Sequence, residues 1–372
     1  MKNSGDRPSV DLPLLLVTIA LVGIGMVMVY SSSYVLAESK FQSSGFFLKR
    51  HVVRALLGLV LMFSAIRIDY RFLRKLSKPL LVFGFGLLFL VLAPKLFGGD
   101  RGVSRWMRIA GVSVQPSELM KLIIVLYLAD SLTERQDRIK NFTWGLLPYV
   151  LILSSAISLI LLQPALGTAV GIGIVAGVML FLSRARLYHL VVVALASLPV
   201  LYGLVFWVGY RRERIEAFLH PTRDLEGINY QVNQSLLAFG SGGFWGVGLG
   251  HSRQKLLFLP EPHTDFIFSI IGEELGFFGA ITVLTLFLIF IWRGLRTAKR
   301  APDLFGFLLA AGITTMIATY TILNIGVAIG LFPTTGLPLP FISYGGSSLL
   351  VSMAGTGVLL NISRQRYWQW IH

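Results

Sequence analysis

Asp265 stands where a long polar stretch, Tyr210 to Pro262, meets an apolar run that continues to Trp292. A carboxylate at such a boundary is costly to desolvate unless it is paired or used. Used, it is a general base able to take a proton from a sugar or alcohol hydroxyl. The competing reading is structural: Thr264 or Asp265 caps the helix that starts here, with an acid in the first turn meeting the positive end of the helix dipole. His263, two residues upstream, is either a second proton carrier or a plain loop residue. Glu273 and Glu274 follow in the helix, about 12–13 Å deeper at the helical rise per residue. By helical rotation Glu273 points roughly 80° from Asp265 and Glu274 points to the opposite face. They are therefore not expected to line one cavity, and each needs a partner of its own.

A second group opens another helix. Gln115-Pro116-Ser117-Glu118-Leu119-Met120-Lys121 places a proline near the first turn, where its missing N–H costs nothing. Glu118 and Lys121 can pair along one helix face, and Asp265 competes for Lys121 if both lie near the same depth. Basic residues also gather in two connections. Lys95–Pro116 carries Arg101, Arg105 and Arg108, and Tyr210–Pro262 carries Arg211, Arg212, Arg214, Arg223, Arg253 and Lys255. These segments either meet solvent and lipid headgroups or hold an anionic substrate such as a phosphate-bearing lipid, to which the planar arginine fork is suited. Ser343 to Ser348, including Ser347, open the last helix with small and hydroxylated residues, which serve either close helix packing or the lining of a polar cleft. The Gly240–Gly250 glycines lack a strand–helix context for a nucleotide loop.

The elements that must carry these residues follow from composition. The chain has 372 residues, 55% hydrophobic and 14% charged, with a mean hydropathy of +0.72. That is far fewer charges than a soluble domain carries, and the polar residues lie between long apolar runs, so the fold class is an all-α polytopic membrane protein. There is no cysteine, hence no disulfide framework, and the six histidines show no metal-ligand spacing. The first run, Leu12–Ala37, is too long for a signal-peptide core and reads as a retained helix. Further spans are expected at about Phe47–Ile66, Pro79–Pro94, Pro116–Leu132, two in Asn141–Ser183 divided at Gln163-Pro164, Leu187–Tyr210, Asp265–Trp292, and two in Leu304–Ser363 divided by Pro333–Pro340. The total is ten transmembrane helices in a single domain, residues 1–372, with a large extracytoplasmic loop, about 210–262, between helices 7 and 8. With the N-terminus inside, the inner segments hold 18 of the 33 Lys and Arg and only 7 of the 18 acids. That places both termini in the cytoplasm and the two basic connections outside, where nucleic acid is not the expected partner.

At these residues the chain resembles the SEDS family, which comprises FtsW, RodA and SpoVE. The resemblance runs from about Leu12 to Arg366 and rests on four blocks: RWMRIAGVSVQPSELMK from Arg105, RRERIEAFLHPTRDLEGINYQVNQSLLAFGSGGFWGVGLG from Arg211, SRQKLLFLPEPHTDFIFSIIGEELGFFG from Ser252, and GLFPTTGLPLPFISYGGSSLL from Gly330. The wording resembles the FtsW division branch more than the RodA elongation branch. The resemblance implies a multi-pass protein of the cytoplasmic membrane. It would be an inverting peptidoglycan glycosyltransferase that polymerises lipid II at the outer face, with a class B penicillin-binding protein and other divisome membrane proteins as partners. It puts the essential acid on Asp265 and matches Arg105, Glu118, Lys121 and Ser343–Ser348 to family motifs. Arg105, Lys121 and Arg211 are the candidates for holding a donor diphosphate, with Glu118, His263, Ser343 and Ser347 as further substrate-binding candidates. A divalent cation, magnesium or manganese, could assist the diphosphate, but no acidic cluster marks a metal site. One departure stands out: the family usually has an acid after Gln-Pro, and here Gln163-Pro164 is followed by Ala165. The alternatives are a lipid II flippase, a RodA-type elongation polymerase and a division scaffold without chemistry.

Overall fold

The computed structural model describes residues 10–96, 105–109, 112–206, 209–221, 227, 229–256 and 258–365. Both chain termini, and with them the expected cytoplasmic ends, lie outside the described residues, as do Arg101 and Arg223. Among the described residues twelve helices follow one another: α1 (Leu12–Phe41), α2 (Phe46–Arg67), α3 (Tyr70–Leu96), α4 (Pro116–Glu134), α5 (Leu147–Leu162), α6 (Leu166–Leu182), α7 (Leu187–Phe206), α8 (Gly209–Leu219), α9 (Tyr230–Gly242), α10 (Ile267–Lys299), α11 (Leu304–Ala328) and α12 (Gly346–Gln365).

Six of these are long and apolar enough to cross a membrane: α1, α3, α5 with the turn that leads into it, α10, α11 and α12. Helices α6 and α7 are shorter apolar helices. Helices α2 and α4 each carry four Lys, Arg, Asp or Glu residues, which lowers their hydropathy. Both expected divisions hold: the chain turns between α5 and α6 at Gln163–Ala165, and α11 and α12 are separated by the proline-rich segment. Helix α3 starts at Tyr70, well before Pro79, and keeps Pro79 and Pro94 inside it. Apolarity marks the part of a helix that shuns water, and the charged turn before it is helical too.

Two expectations are corrected. The stretch 210–262 is no plain loop, because α8 and α9 form within it. The fold also contains one strand pair, β1 (Met107–Ile109) antiparallel to β2 (Val112–Val114), where the sequence read as all-α.

Bonds between helix ends give the bundle two distinct ends. At one, Arg293 near the end of α10 forks onto Asp11 before α1 (2.6 Å), and Asp11 N–H donates to Ser363 of α12. There too Tyr70 donates to Asp303 (2.6 Å) and Arg74 pairs with Asp130 (2.9 Å). At the other end lie Asp265, the start of α12, the starts of α4 and α6, and helices α8 and α9. The spans are buried to different extents: 89% of the α12 window and 72% of the α11 window are buried, against 22% for α10. Helices α11 and α12 thus form the centre and α10 the flank.

Helix α10 is broken within its length. Gly276 takes φ 65° and ψ −163°, a left-handed φ that a residue with a Cβ adopts only under strain. The break would orphan backbone groups where no water can satisfy them. The chain after α9 satisfies them instead: Val247 and Gly248 donate to the carbonyls of Glu273 and Glu274 (both 3.0 Å), and Phe277 donates to Gly243 (2.9 Å). The two glutamates complete the junction. Glu274 pairs with Lys255 (2.7 Å), both fully enclosed, and accepts from Ser31 of α1 (2.5 Å). Glu273 accepts from the Ser252 hydroxyl and from Arg253 N–H (2.8 Å). Both acids therefore serve one short segment, 252–255, rather than opposite surroundings. A chain laid across a helix reaches side chains about 100° apart.

Removing one partner of a buried ion pair strands the other charge. Lys255→Met is expected to lower stability by about 3–5 kcal/mol, read as a lower unfolding temperature in detergent. Lys255→Met combined with Glu274→Leu should recover most of that loss.

Candidate active site

Asp265 lies two residues before the start of α10, at the floor of a pocket also lined by Arg214, Gln231, Glu261, Asn324 and the turn Thr334–Leu337. The pocket holds about 440 Å3, its open mouth included. The capping reading fails: Phe266 is the N-cap of α10 and no side chain caps it. What fixes Asp265 is its backbone. Asn324 of α11 donates one amide to the Asp265 carbonyl (2.8 Å) and to the Leu337 carbonyl (2.6 Å). Ser343 donates to the carbonyl of Thr264 (2.6 Å). Gly336, at φ +70°, comes close on the opposite side, and a Cβ there would sit 3.4 Å from Asp265 Oδ2. A side chain at Gly336 would be strained by its positive φ and would lie in contact with the carboxylate.

The carboxyl is half-buried and, among the described residues, has no salt-bridge partner. Burial pushes its pKa up to about 6, Glu261 adds to the rise, and Arg214, the Thr264 hydroxyl and Arg105 only partly oppose it. An acid with these neighbours is ionised at neutral pH yet basic enough to accept a proton.

The nominated residues divide into those near this carboxyl and those that hold the frame around it. Arg105 lies near enough to act on Asp265 electrostatically, while its Nε and Nη2 donate to the carbonyls of Gln163 (3.0 Å) and Pro164 (2.5 Å). Arg211 donates to Leu161 (2.7 Å). Both arginines thus bind carbonyls at the C-terminal end of α5, the negative end of its dipole. Ala165 follows directly, buried and without any capping side chain. Of the two partners open to Lys121, the structure takes Glu118 (2.6 Å), not Asp265. Lys121 also lies over the Tyr320 ring (3.7 Å). Tyr320 stands one helical turn from Asn324 on α11, so Lys121 and Asp265 meet α11 at different levels.

His263 is buried between the rings of Phe47 (4.5 Å) and Tyr344 (5.4 Å). Burial, with Lys40 adding to it, lowers its pKa to about 4, so it is neutral at pH 7. Ser347 accepts from Gln115 N–H (2.9 Å) and Ser343 accepts from Leu339 N–H (2.8 Å). These hydroxyls tie loops to one another. Among the described residues no three His, Asp or Glu side chains gather to hold a metal ion.

Sequence reasoning did not single out Arg214 and Asn324. Arg214 Nη1 donates to Thr334 (3.0 Å) and lines the Asp265 pocket. The signal was present: Arg211 and Arg214 share one face of α8, while Arg212 pairs outward with Glu216 (2.5 Å). Asn324 is one of only two amide side chains between Leu304 and Ser363, and a polar group in such a run needs a reason.

The raised pKa has a thermodynamic counterpart. The folded protein keeps a proton on Asp265 up to about pH 6, while the unfolded chain releases it near 3.8. The carboxylate therefore costs stability above pH 6, and that cost shrinks as the pH falls below 6 and is gone only below the unfolded value of 3.8. Asp265→Asn should raise the unfolding temperature at pH 7.5, by a gain on the order of 3 kcal/mol, and the gap from wild type should shrink to about a third of that by pH 4.5.

Comparison with known proteins places the chain as a whole. The sequence profile of the FtsW/RodA/SpoVE family, described as cell cycle protein, matches residues 12–368. The chain is 47% identical over 353 residues to the probable peptidoglycan glycosyltransferase FtsW of Geobacter sulfurreducens, covering 95% of each chain. It is 46% identical over 358 residues to stage V sporulation protein E of Bacillus subtilis, covering 96% of this chain and 98% of that one. Among solved structures, it matches a chain from a peptidoglycan synthase complex that coordinates polymerization and crosslinking, with a TM-score of 0.76, 31% identity and coverage of 96% and 99%. It also matches the rod shape determining protein RodA of Thermus thermophilus, with a TM-score of 0.70, 30% identity and coverage of 96% and 98%. The match extends over nearly the whole length of these proteins, and the chain belongs to the FtsW/RodA/SpoVE family of multi-pass membrane proteins.

Proposed function

We propose that the chain is a peptidoglycan glycosyltransferase that polymerises lipid II at the outer face of the cytoplasmic membrane, in the division branch of its family. The observation that carries this reading is Asp265: a carboxyl with no salt bridge among the described residues and a pKa near 6, in a pocket lined by Arg214. Ten spans, α1 to α7 and α10 to α12, with α8 and α9 lying outside, put this pocket at the outer leaflet. The alternation of helix ends supports that topology.

In the proposed step the C4 hydroxyl of the acceptor sugar attacks the anomeric carbon of the donor. Its proton passes to Asp265, the new glycosidic C–O bond forms, and the bond to the diphosphate breaks with its electron pair on the leaving lipid diphosphate. One displacement converts an α-linked donor into a β-linked product. The leaving group is already a good one, so no second carboxylic acid is needed. Arg214 and Arg105 lie where they lower the energy of the developing diphosphate charge. A class B penicillin-binding protein is the proposed crosslinking partner, and other divisome proteins complete the assembly.

A flippase would need polar groups for the cargo at both ends and at mid-depth. The opposite end carries acids already matched by arginines, as in Arg293–Asp11 and Arg74–Asp130. This favours polymerisation.

Two assays test the reading. The purified chain with its transpeptidase partner should convert lipid II into glycan strands, while vesicles containing the chain alone should not equilibrate lipid II between leaflets. Strand synthesis by the complex should also fall about tenfold per pH unit below pH 6, as the base takes up its proton. A flat profile from pH 7 to pH 5 would remove Asp265 from the proton-transfer step.

A further inference from the structure

At the bundle end opposite Asp265 a pocket opens where the connection from α4 to α5 meets the connection from α6 to α7. The first supplies Lys140, Asn141 and Phe142, the second Arg186 and His189, and Asp137 is the one acid of the lining. The pocket holds about 700 Å3, its open mouth included. Its two sides touch: His189 stands edge-on to the Phe142 ring (5.4 Å). The first side is fixed by its backbone. Asn141 caps the turn Phe142–Leu146 by accepting from Thr143 N–H (3.1 Å), and a Cβ on Gly145 would collide with the Arg138 carbonyl. Several cations at this end are matched by acids, as Arg293 is by Asp11, Arg74 by Asp130 and Lys78 by Glu134. Among the described residues Lys140 and Arg186 make no ion pair, although they line one pocket. Arg138 and Arg184, in the same two connections, add to the positive field.

The surroundings set the depth of this pocket. Lys140 and Arg186 stand just before the apolar runs of α5 and α7. Beside them Trp144 is 75% exposed and Tyr188 74%, and such rings favour the level of lipid headgroups. From there Leu187, Val191, Leu195 and Leu198, all exposed, run along one face of α7. We propose that the pocket binds the phosphate headgroup of an anionic phospholipid between Lys140 and Arg186, with the acyl chains along the exposed stripe of α7. Charge and apolar surface select this occupant together. The phosphate meets an ammonium on one side and a planar guanidinium on the other, and a basic pocket between membrane helices suits an anionic headgroup. A zwitterionic headgroup would bring its own cation against these two. An acidic peptide would match the cations but gain nothing from the stripe. The lipid stays in its leaflet, because α5 and α7 carry no Lys, Arg, Asp or Glu and so provide no polar path toward the Asp265 end. The site is independent of the polymerase reading.

The test is photolabelling of the full chain in phosphatidylcholine nanodiscs that contain a trace of phosphatidylglycerol with a diazirine near its headgroup. Adducts are expected in the two connections, around Lys140 and Arg186. Unlabelled phosphatidylglycerol should remove them, whereas inorganic phosphate and polyglutamate should not. Lys140→Gln combined with Arg186→Gln should cut the yield about thirtyfold. Arg67→Gln combined with Lys75→Gln takes the same charge from exposed positions at the same end, outside the pocket, and should leave the yield unchanged. Equal losses in the two double variants would reduce the site to general surface charge and overturn the assignment. Displacement by inorganic phosphate would overturn it in favour of a free anion, and displacement by polyglutamate in favour of a protein partner.

Discussion

One amide carries the geometry of the site. Asn324 donates to the carbonyls of both Asp265 and Leu337, and so fixes the approach to α10 against the proline-rich segment that closes the pocket. Ser343 adds a second backbone tie one residue upstream. Holding a functional residue by its main chain leaves its side chain available. This is how a site is preorganised without neutralising the group that must react. Deeper in the same helix the break at Gly276 is bridged by the chain after α9, and Glu273 and Glu274 bind the segment 252–255. The half of α10 that follows Asp265 is thus braced from two directions.

The cations around the site are arranged to the same end. A guanidinium in direct contact would hold Asp265 well below the usual carboxylate range and make it a poor base. Instead Arg105 and Arg211 bind carbonyls at the end of α5, Lys121 is committed to Glu118, and Arg214 is held by Thr334. The charges of Arg214 and Arg105 still reach the pocket, but burial and Glu261 win and the carboxyl rises to about 6. In the proposed reaction this places positive charge near the leaving diphosphate while the base stays basic. The same balance explains why His263, neutral and packed between Phe47 and Tyr344, is a poor proton carrier at pH 7.

Much of this was legible in the sequence, and the reason is chemical economy. Long uncharged runs located the apolar spans, and Gln163-Pro164 and the Pro333–Pro340 segment divided the two that were too long for one helix. The isolation of Asp265 at a polar–apolar boundary identified the candidate base. The partners were harder to read, because they depend on rotation and on loop paths. Lys121 could reach either acid by spacing alone, and only packing against Tyr320 decided for Glu118. Glu273 and Glu274 were read as facing different surroundings because a helical wheel contains no loop that crosses it. Arg214 was hidden among neighbours of identical type until α8 sorted them by face. The helices within 210–262 were masked by their polarity.

The account stands on Asp265 accepting the acceptor's proton, and the most direct measurement is the rate of strand synthesis by Asp265→Asn in the purified complex at pH 7.5. The amide keeps shape and volume but has no basicity. The account predicts a rate at least a hundredfold below wild type, in the range a general base contributes (about 10²–10⁴), by a protein that remains folded. A folded Asp265→Asn complex that makes strands at the wild-type rate would contradict it.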